Sequence, residues 1–220
     1  MIDAVIFDMD GVLIDSEPLH YRTDLTLLGK LGIQIERDYL DRFVGMNNPE
    51  MWKTIISEQG ITRDVDDILF EQLELKLKLL EDGDWPALAG AVELVEGLVV
   101  KGIPVAVASS SSLPFIGGVL RKTGLDRFIH RYVSAESVAL GKPAPDVFLE
   151  AARMLAVSPV QCLVVEDSRN GVLAAKAAGM RVIGYRNPSS GDQDLSRADA
   201  VVTDHRDTMR ELERLGGGFQ

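Results

Sequence analysis

The sequence is poor in cysteine, histidine and basic residues, and each shortage disfavours a class of protein. Cys162 is the only cysteine among 220 residues, so no internal disulfide can form and a reducing compartment is expected. The three histidines, His20, His130 and His205, lie far apart in the sequence, so they do not have the spacing of a set of metal ligands. The 23 basic against 34 acidic residues give a net charge of -11, which disfavours nucleic acid or an anionic membrane as the main partner.

Long apolar runs are also missing. No run approaches the roughly 18 residues that a membrane-spanning helix needs. The first residues, "MIDAVIFDMD", lack the basic region and the apolar stretch of a secretion signal. We therefore expect a cytoplasmic protein that does not span a membrane. Because no feature indicates an obligate interface, we also expect a monomer.

Strand and helix patterns alternate from residue 90 onward. The helix pattern "AVELVEGLVVKG" is followed by a short β-rich run, "IPVAVAS". Similar short runs recur between helix patterns as "RYVSAE", "CLVVED", "RVIGY" and "AVVTD". This alternation predicts an α/β fold, a doubly wound, Rossmann-like parallel sheet with helices on both faces.

Residues 16–85 interrupt that alternation with helix patterns alone. The run "LELKLKLL" has the period of a strand, but it lacks β-branched residues and is built from good helix formers. We therefore predict an α/β core domain of residues 1–15 and 86–220. A helical cap domain of residues 16–85 is predicted to be inserted after the first strand.

Polar side chains of particular kinds follow four of the predicted strands. In an open parallel sheet, ligands bind beyond the carboxyl ends of the strands. The candidates are Asp8 and Asp10 after the first strand, Ser109 and Ser110 after the second, Lys142 after the third, and Glu166 and Asp167 after the fourth. One edge of the sheet is thus predicted to gather four carboxylates, a lysine and several hydroxyls.

Clustered carboxylates repel one another unless positive charge lies among them. A divalent cation with hard oxygen ligands, such as Mg²⁺, suits this cluster, whereas zinc would prefer histidine or cysteine ligands. The lysine and the serine hydroxyls could bind an anion such as phosphate. The combination predicts phosphoryl transfer on a small phosphorylated metabolite, with Mg²⁺ as cofactor.

The same segments resemble the four ordered motifs of the haloacid dehalogenase superfamily. The motifs read "DMDGVLIDSE", "ASSSS", "GKPAPD" and "VVEDSRNG" in this chain. The helical insertion after the first motif resembles the branch that contains β-phosphoglucomutase and small sugar-phosphate phosphatases. The resemblance covers nearly the whole chain.

The resemblance implies a role for each candidate residue. Asp8 would attack phosphorus and form an aspartyl-phosphate, and Asp10 would act as general acid and then general base. Ser109, Ser110 and Lys142 would bind the phosphoryl oxygens. The implied Mg²⁺ ligands are Asp8, the backbone carbonyl of Asp10, and Asp167, with Glu166 either a ligand or an anchor behind them.

Substrate contacts are expected from the helical insertion. Its loop of Gly45, Met46, Asn47 and Asn48 would offer neutral hydrogen-bond donors to sugar hydroxyls. His20 is a candidate substrate contact, with a packing role as the alternative.

Several other activities compete with hydrolysis of a phosphomonoester. A dehalogenase would not need Asp10, and a phosphonoacetaldehyde hydrolase would need a cap lysine where Phe43 and Val44 precede the loop glycine. A non-catalytic binding protein would have no use for an acid at Asp10.

β-Phosphoglucomutase is the most serious competitor. Its cap loop supplies cations for a second phosphate, but residues 44–48 contain none, and Ser112 and Leu113 stand where the mutase pattern has Lys and Asn. Arg42 lies nearby in the sequence and could supply such a cation, so the mutase remains an alternative. We favour a Mg²⁺-dependent phosphatase acting on small sugar or polyol phosphates, with the mutase as the alternative.

Overall fold

The computed structural model describes residues 1–36, 39–40, 42–43 and 48–216. The chain divides into two compact units. The first combines Met1–Asp15 with Trp85–Gln220, and the second is Ser16–Asp84. The helical unit is thus inserted in the sequence of the other.

A parallel sheet forms the centre of the first unit, which confirms the predicted α/β fold. Within the described residues it has six strands in the order β3-β2-β1-β4-β5-β6. The strands are β1 (Ala4–Phe7), β2 (Val105–Ser109), β3 (Tyr132–Ser134), β4 (Cys162–Glu166), β5 (Arg181–Tyr185) and β6 (Ala200–Val202). Strands β1, β2 and β4 are buried along their whole length, as expected for parallel strands covered on both faces.

The strands of this unit are linked by helices that begin and end at recognisable residues. The α-helices are α4 (Ala91–Val100), α5 (Leu113–Thr123), α6 (Asp146–Leu155), α7 (Arg169–Ala177) and α8 (His205–Gly216). Helix α5 ends at Gly124, whose φ of 71° is the left-handed conformation that glycine adopts readily. Helix α7 begins after Ser168, whose hydroxyl accepts a hydrogen bond from the Gly171 N–H.

The second unit is helical in its described part. It contains α1 (Glu17–Lys30), α2 (Asn48–Gln59) and α3 (Val65–Asp82), packed around apolar side chains that include the fully buried Trp52 and Ile55. The alternating leucine run lies within α3, so the helix predicted there is confirmed. The buried face of α3 is partly polar, because the Gln72 amide donates to the Asp24 carboxylate at 2.6 Å.

A membrane-spanning segment was not expected. Over the described residues, no helix has both the length and the apolar content to cross a membrane.

His205, the first residue of α8, is buried against the loop that follows β1. Its Nε2 lies 2.8 Å from the Val12 carbonyl oxygen, and its ring stacks on Tyr185 with 4.4 Å between centroids. Its Nδ1 is buried with no hydrogen-bond partner among the described residues. Burial lowers the pKa of His205, so the folded chain holds this ring neutral where the unfolded chain would protonate it.

We predict that His205 lowers the free energy of unfolding as the pH falls. Below the ordinary histidine pKa of about 6.5 the unfolded state binds the extra proton first, so the free energy of unfolding decreases towards acid pH. His205→Gln removes the titrating ring and can still offer an N–H to Val12. Denaturant unfolding between pH 5 and 7.5 should therefore show a flatter pH dependence for this variant.

The matched control is His130→Gln, at an exposed histidine. The prediction would be contradicted if the free energy of unfolding depended on pH as steeply in His205→Gln as in the wild type.

Candidate active site

The turn after β1 places Asp8 and Asp10 at the carboxyl edge of the sheet. The Asp8 N–H donates to the Val165 carbonyl at 2.9 Å, so strand pairing with β4 continues one residue beyond Phe7 and holds Asp8 in place. Gly11 then turns the chain with a φ of 77°. A Cβ at this position would lie 1.9 Å from Asp167 Oδ2, so only glycine fits there.

Lys142 links the first motif to the fourth. Its Nζ lies 2.5 Å from Asp8 Oδ1 and 2.9 Å from Glu166 Oε1, and it donates to the Ala108 carbonyl at 3.2 Å. These three acceptors match the three donors of an ammonium group. The Lys142 side chain is only 5% exposed. Burial alone would lower the pKa of Lys142, but the Asp8 and Glu166 carboxylates raise it above its ordinary value, so the group stays charged.

Three buried carboxylates lie close together here, and two of them contact Lys142. Asp8, Glu166 and Asp167 each offer an oxygen, and these atoms lie within 4.8 Å of one another. Glu166 Oε2 also accepts the Ser168 N–H at 2.5 Å. A Cβ on Gly171 would lie 1.6 Å from Glu166 Oε1, so the glycine of the "SRNG" segment leaves the space that Glu166 occupies.

The crowding changes the protonation of the carboxyl groups. Burial, with smaller contributions from Glu166 and Asp10, raises the pKa of Asp8 to about 8 against the opposing effect of Lys142. Burial, followed by Glu166 and Asp8, raises the pKa of Asp167 to about 9. Without a further positive charge, burial and mutual repulsion therefore favour the protonated forms of Asp8 and Asp167.

The donor set fits a hard divalent cation. The side chains that it offers are three buried carboxylates, and Lys142 forms ion pairs with only two of them, Asp8 and Glu166. A bound Mg²⁺ would favour the ionised forms that burial now opposes. Asp8, Glu166 and Asp167 are thus brought together, while the Asp10 carbonyl as a ligand and the assignment of the metal stay predictions.

The end of β2 contacts the first motif through serine hydroxyls. Ser109, which is fully buried, donates to Asp10 Oδ2 at 3.2 Å, and Ser111 donates to the same oxygen at 2.8 Å. The Ser111 N–H in turn donates to Ser109 Oγ at 3.0 Å. Ser110, also predicted to bind phosphate, is exposed. The serine run therefore orients Asp10, and Ser111 takes part although the motif pattern did not single it out.

The predicted substrate-binding residues belong to the helical unit. Gly45, Met46 and Asn47 lie outside the described residues. Asn48 is exposed at the first position of α2, and His20 lies on α1. Their predicted contacts with substrate stay predictions.

Arg42, the cation on which the mutase alternative depends, forms its contacts within the helical unit. Its guanidinium forms an ion pair with Glu58 and lies 4.5 Å from the ring centroids of Tyr39 and of Phe43.

Two buried residues outside the four motifs also reach this site. Asn187 Nδ2 donates to the Gly11 carbonyl at 3.1 Å, and the Ser190 hydroxyl donates to Asp167 Oδ2. Both follow β5, which carries no motif, so sequence reasoning missed them. The only signal was the polar turn "NPSSG" at the end of a strand.

Comparison with known proteins identifies related sequences. Residues 2–179 match the family model of haloacid dehalogenase-like hydrolases. Hexitol phosphatase B of Escherichia coli K12 is 36% identical over 184 residues, which cover 82% of each chain. Beta-phosphoglucomutase of Bacillus subtilis is 32% identical over 95% of this chain and 92% of its own. The chain is also 35% identical to SUPPRESSOR OF QUENCHING 1 of Arabidopsis thaliana, but it spans only 21% of that protein.

A solved structure supports the same relationship. The crystal structure of CbbY from Rhodobacter sphaeroides in complex with phosphate superposes with a TM-score of 0.85 at 27% identity. The match covers 93% of this chain and 95% of that one.

The crowded carboxylates predict a stability effect in the metal-free protein. Because the pKa of Asp167 is raised, the folded state binds more protons than the unfolded state, so stability decreases as the pH rises from about 4 to about 9. Asp167→Asn removes that charge. We expect thermal denaturation without metal to show a higher Tm for the variant, with the gain larger at pH 9 than at pH 5.

The matched control is Asp126→Asn at an exposed position. A lower Tm for Asp167→Asn than for wild type at pH 9, both in EDTA, would contradict the electrostatic account.

Proposed function

The chain belongs to the haloacid dehalogenase-like hydrolase family, and on this premise we propose that it is a Mg²⁺-dependent phosphatase. Its proposed substrates are small phosphomonoesters of sugars or polyols, hydrolysed through an aspartyl-phosphate. The observation that carries the proposal is the contact of Lys142 Nζ with Asp8 and Glu166, at 2.5 and 2.9 Å, beside the buried Asp167. Hexitol phosphatase B supports the substrate class.

Asp8 is the proposed nucleophile. One of its carboxylate oxygens attacks phosphorus, and the bond from phosphorus to the ester oxygen breaks. Lys142 offsets the negative charge that Asp8 and the phosphoryl group bring together. Ser109 and Ser110 lie at the adjoining strand end, from which they would donate to the phosphoryl oxygens; Ser109 would do so by turning its one hydroxyl proton away from Asp10. The aspartyl-phosphate divides one difficult displacement into two easier steps.

Asp10 is the proposed general acid and base. Its protonated carboxyl gives a proton to the departing ester oxygen, and its carboxylate then takes a proton from the water that attacks phosphorus. That attack breaks the bond from phosphorus to the Asp8 oxygen and releases inorganic phosphate. The hydroxyls of Ser109 and Ser111 both bind Oδ2 and fix the orientation of the carboxyl group. Such proton transfer is typically worth about 10²–10⁴ in rate.

Asp8, Asp167 and the Asp10 carbonyl are the residues that would hold Mg²⁺. When bound, the ion would offset the charge of the phosphoryl oxygens and of the carboxylates around them. Glu166 already accepts from Lys142 through Oε1 and from Ser168 through Oε2. This engagement of both oxygens favours Glu166 as an anchor for Lys142 rather than as a direct ligand.

The helical unit is the proposed cap that selects the substrate. His20 and residues 45–48 would contact the part of the substrate beyond the phosphate. The pairing of Arg42 with Glu58 favours a phosphatase, because a mutase needs a cation available for the second phosphate. The likeness to beta-phosphoglucomutase keeps the mutase as the second candidate. A cytoplasmic location and a monomeric state remain predictions.

Asp8→Asn should abolish hydrolysis, because the neutral amide is a poor nucleophile. Release of phosphate from p-nitrophenyl phosphate and from a hexitol phosphate measures the effect, with circular dichroism to show that the fold is kept. Asp126→Asn is the matched control and should hydrolyse both esters like the wild type. Turnover near the wild-type rate in Asp8→Asn would remove Asp8 as the nucleophile.

Removing metal should stop the reaction, because no cation then offsets the burial and repulsion that raise the pKa of Asp8 and of Asp167. Dialysis against EDTA should abolish phosphate release, and Mg²⁺ should restore it. Undiminished activity in EDTA would contradict the proposed role of Asp167.

Phosphatase and mutase are separated by their products. We expect release of inorganic phosphate from several sugar and polyol phosphates, compared by kcat/KM, and no conversion of β-glucose 1-phosphate to glucose 6-phosphate. Conversion that is stimulated by the glucose bisphosphate, with little phosphate released, would establish the mutase instead.

A further inference from the structure

A short turn after β5 lies against the candidate metal site although it belongs to none of the four motifs. It comprises Asn187 and the 3₁₀ turn Pro188–Ser190. Asn187 and Ser190 are 5% and 7% exposed, whereas Pro188 and Ser189 between them are exposed to solvent. Buried polar side chains need hydrogen-bond partners, and the partners here lie in the first and fourth motifs.

Asn187 joins the turn to the first motif. Its Nδ2 donates to the Gly11 carbonyl at 3.1 Å, while its Oδ1 accepts the Ser189 N–H at 3.0 Å. One amide side chain therefore shapes the turn and holds it against the residue that follows Asp10.

Ser190 joins the same turn to the fourth motif. Its hydroxyl donates to Asp167 Oδ2, and a Cβ on Gly11 would lie 2.7 Å from Ser190 Oγ and 1.9 Å from Asp167 Oδ2. The three residues are thus in close contact, and no side chain fits between the first-motif turn and the Ser190–Asp167 hydrogen bond.

Gln193 secures the far side of the turn. Its Nε2 donates to the Ser190 carbonyl at 3.0 Å, and its Oε1 accepts the Arg169 N–H at 3.1 Å, at the start of α7. Ser190 is therefore held from the first motif through Asn187 and from the helix after Asp167 through Gln193.

We propose that Ser190 is a positioning residue that orients the Asp167 carboxylate for Mg²⁺, with Asn187 holding the turn in place. The inference rests on the proposed function, in which Asp167 is a metal ligand. A hydroxyl that donates to one carboxylate oxygen restricts rotation of the group, and hydrogen-bonded partners of this kind typically change metal affinity by about 10–100-fold. A strand end without a recognisable motif would thereby contribute to the metal site.

The test measures Mg²⁺ binding to the 220-residue protein by isothermal titration calorimetry, without substrate. Ser190→Ala should weaken the Mg²⁺ Kd by about tenfold or more. Ser189→Ala is the matched control, because this neighbouring hydroxyl donates to Asp15 instead. It should bind Mg²⁺ like the wild type.

A second pair of variants separates the hydroxyl from the shape of the side chain. Ser190→Thr keeps the hydroxyl donor and should retain Mg²⁺ affinity. Ser190→Val has nearly the shape of the threonine variant but no hydroxyl, so its Mg²⁺ affinity should fall. Thermal denaturation in EDTA checks that both variants fold. Equal Mg²⁺ affinity for Thr and Val, or wild-type affinity in Ser190→Ala, would overturn the inference.

The same titration distinguishes failure of this inference from failure of the proposed function. A wild-type protein that binds Mg²⁺ and hydrolyses phosphomonoesters, with Ser190→Ala binding equally well, overturns the role of Ser190 alone. A wild-type protein that binds no Mg²⁺ overturns both. A tenfold loss in Ser190→Ala supports the positioning role even if the substrate proves to be of another class.

Discussion

The contact of Lys142 with the carboxylates of Asp8 and Glu166 is the interaction on which the rest of the site depends. A buried lysine and three buried acidic groups would each be costly alone, because removing a charge from water is unfavourable without a partner. Together they leave an excess of negative charge, which adds to the effect of burial in raising the pKa values of Asp8 and Asp167. That excess makes the edge of the sheet suited to a divalent cation, which together with Lys142 would offset the negative charge of a phosphoryl group.

Strand order brings these groups together. Because β1 lies between β2 and β4, the side chains that follow all three strands meet at one edge. Two glycines make the close approach possible, since Gly11 admits Asp167 and Gly171 admits Glu166 where any Cβ would collide. Hydrogen bonds from Ser109, Ser111 and Ser190 then set the orientation of the carboxylates.

Much of this arrangement could be predicted from the sequence, because short apolar runs that end in Asp, Ser or Glu mark the strand ends of a parallel sheet. Ser111 was passed over because a serine run resembles any loop, and Ser190 because β5 ends in no motif. Whether the turn after β5 returns to the site depends on β5 pairing with β4, which periodicity does not reveal. The contact of the buried His205 with Val12 could not be predicted either, since nothing in the sequence around His205 indicates it.

The central claim is that the acidic edge exists to hold Mg²⁺ and a transferring phosphoryl group beside Asp8. A crystal structure grown with Mg²⁺ and beryllofluoride, which mimics an aspartyl-phosphate, tests it most directly. The account predicts beryllium bonded to an Asp8 carboxylate oxygen, with Mg²⁺ against Asp8 and Asp167 and with Lys142 contacting a fluorine. A well-ordered structure with neither species beside Asp8 would contradict it.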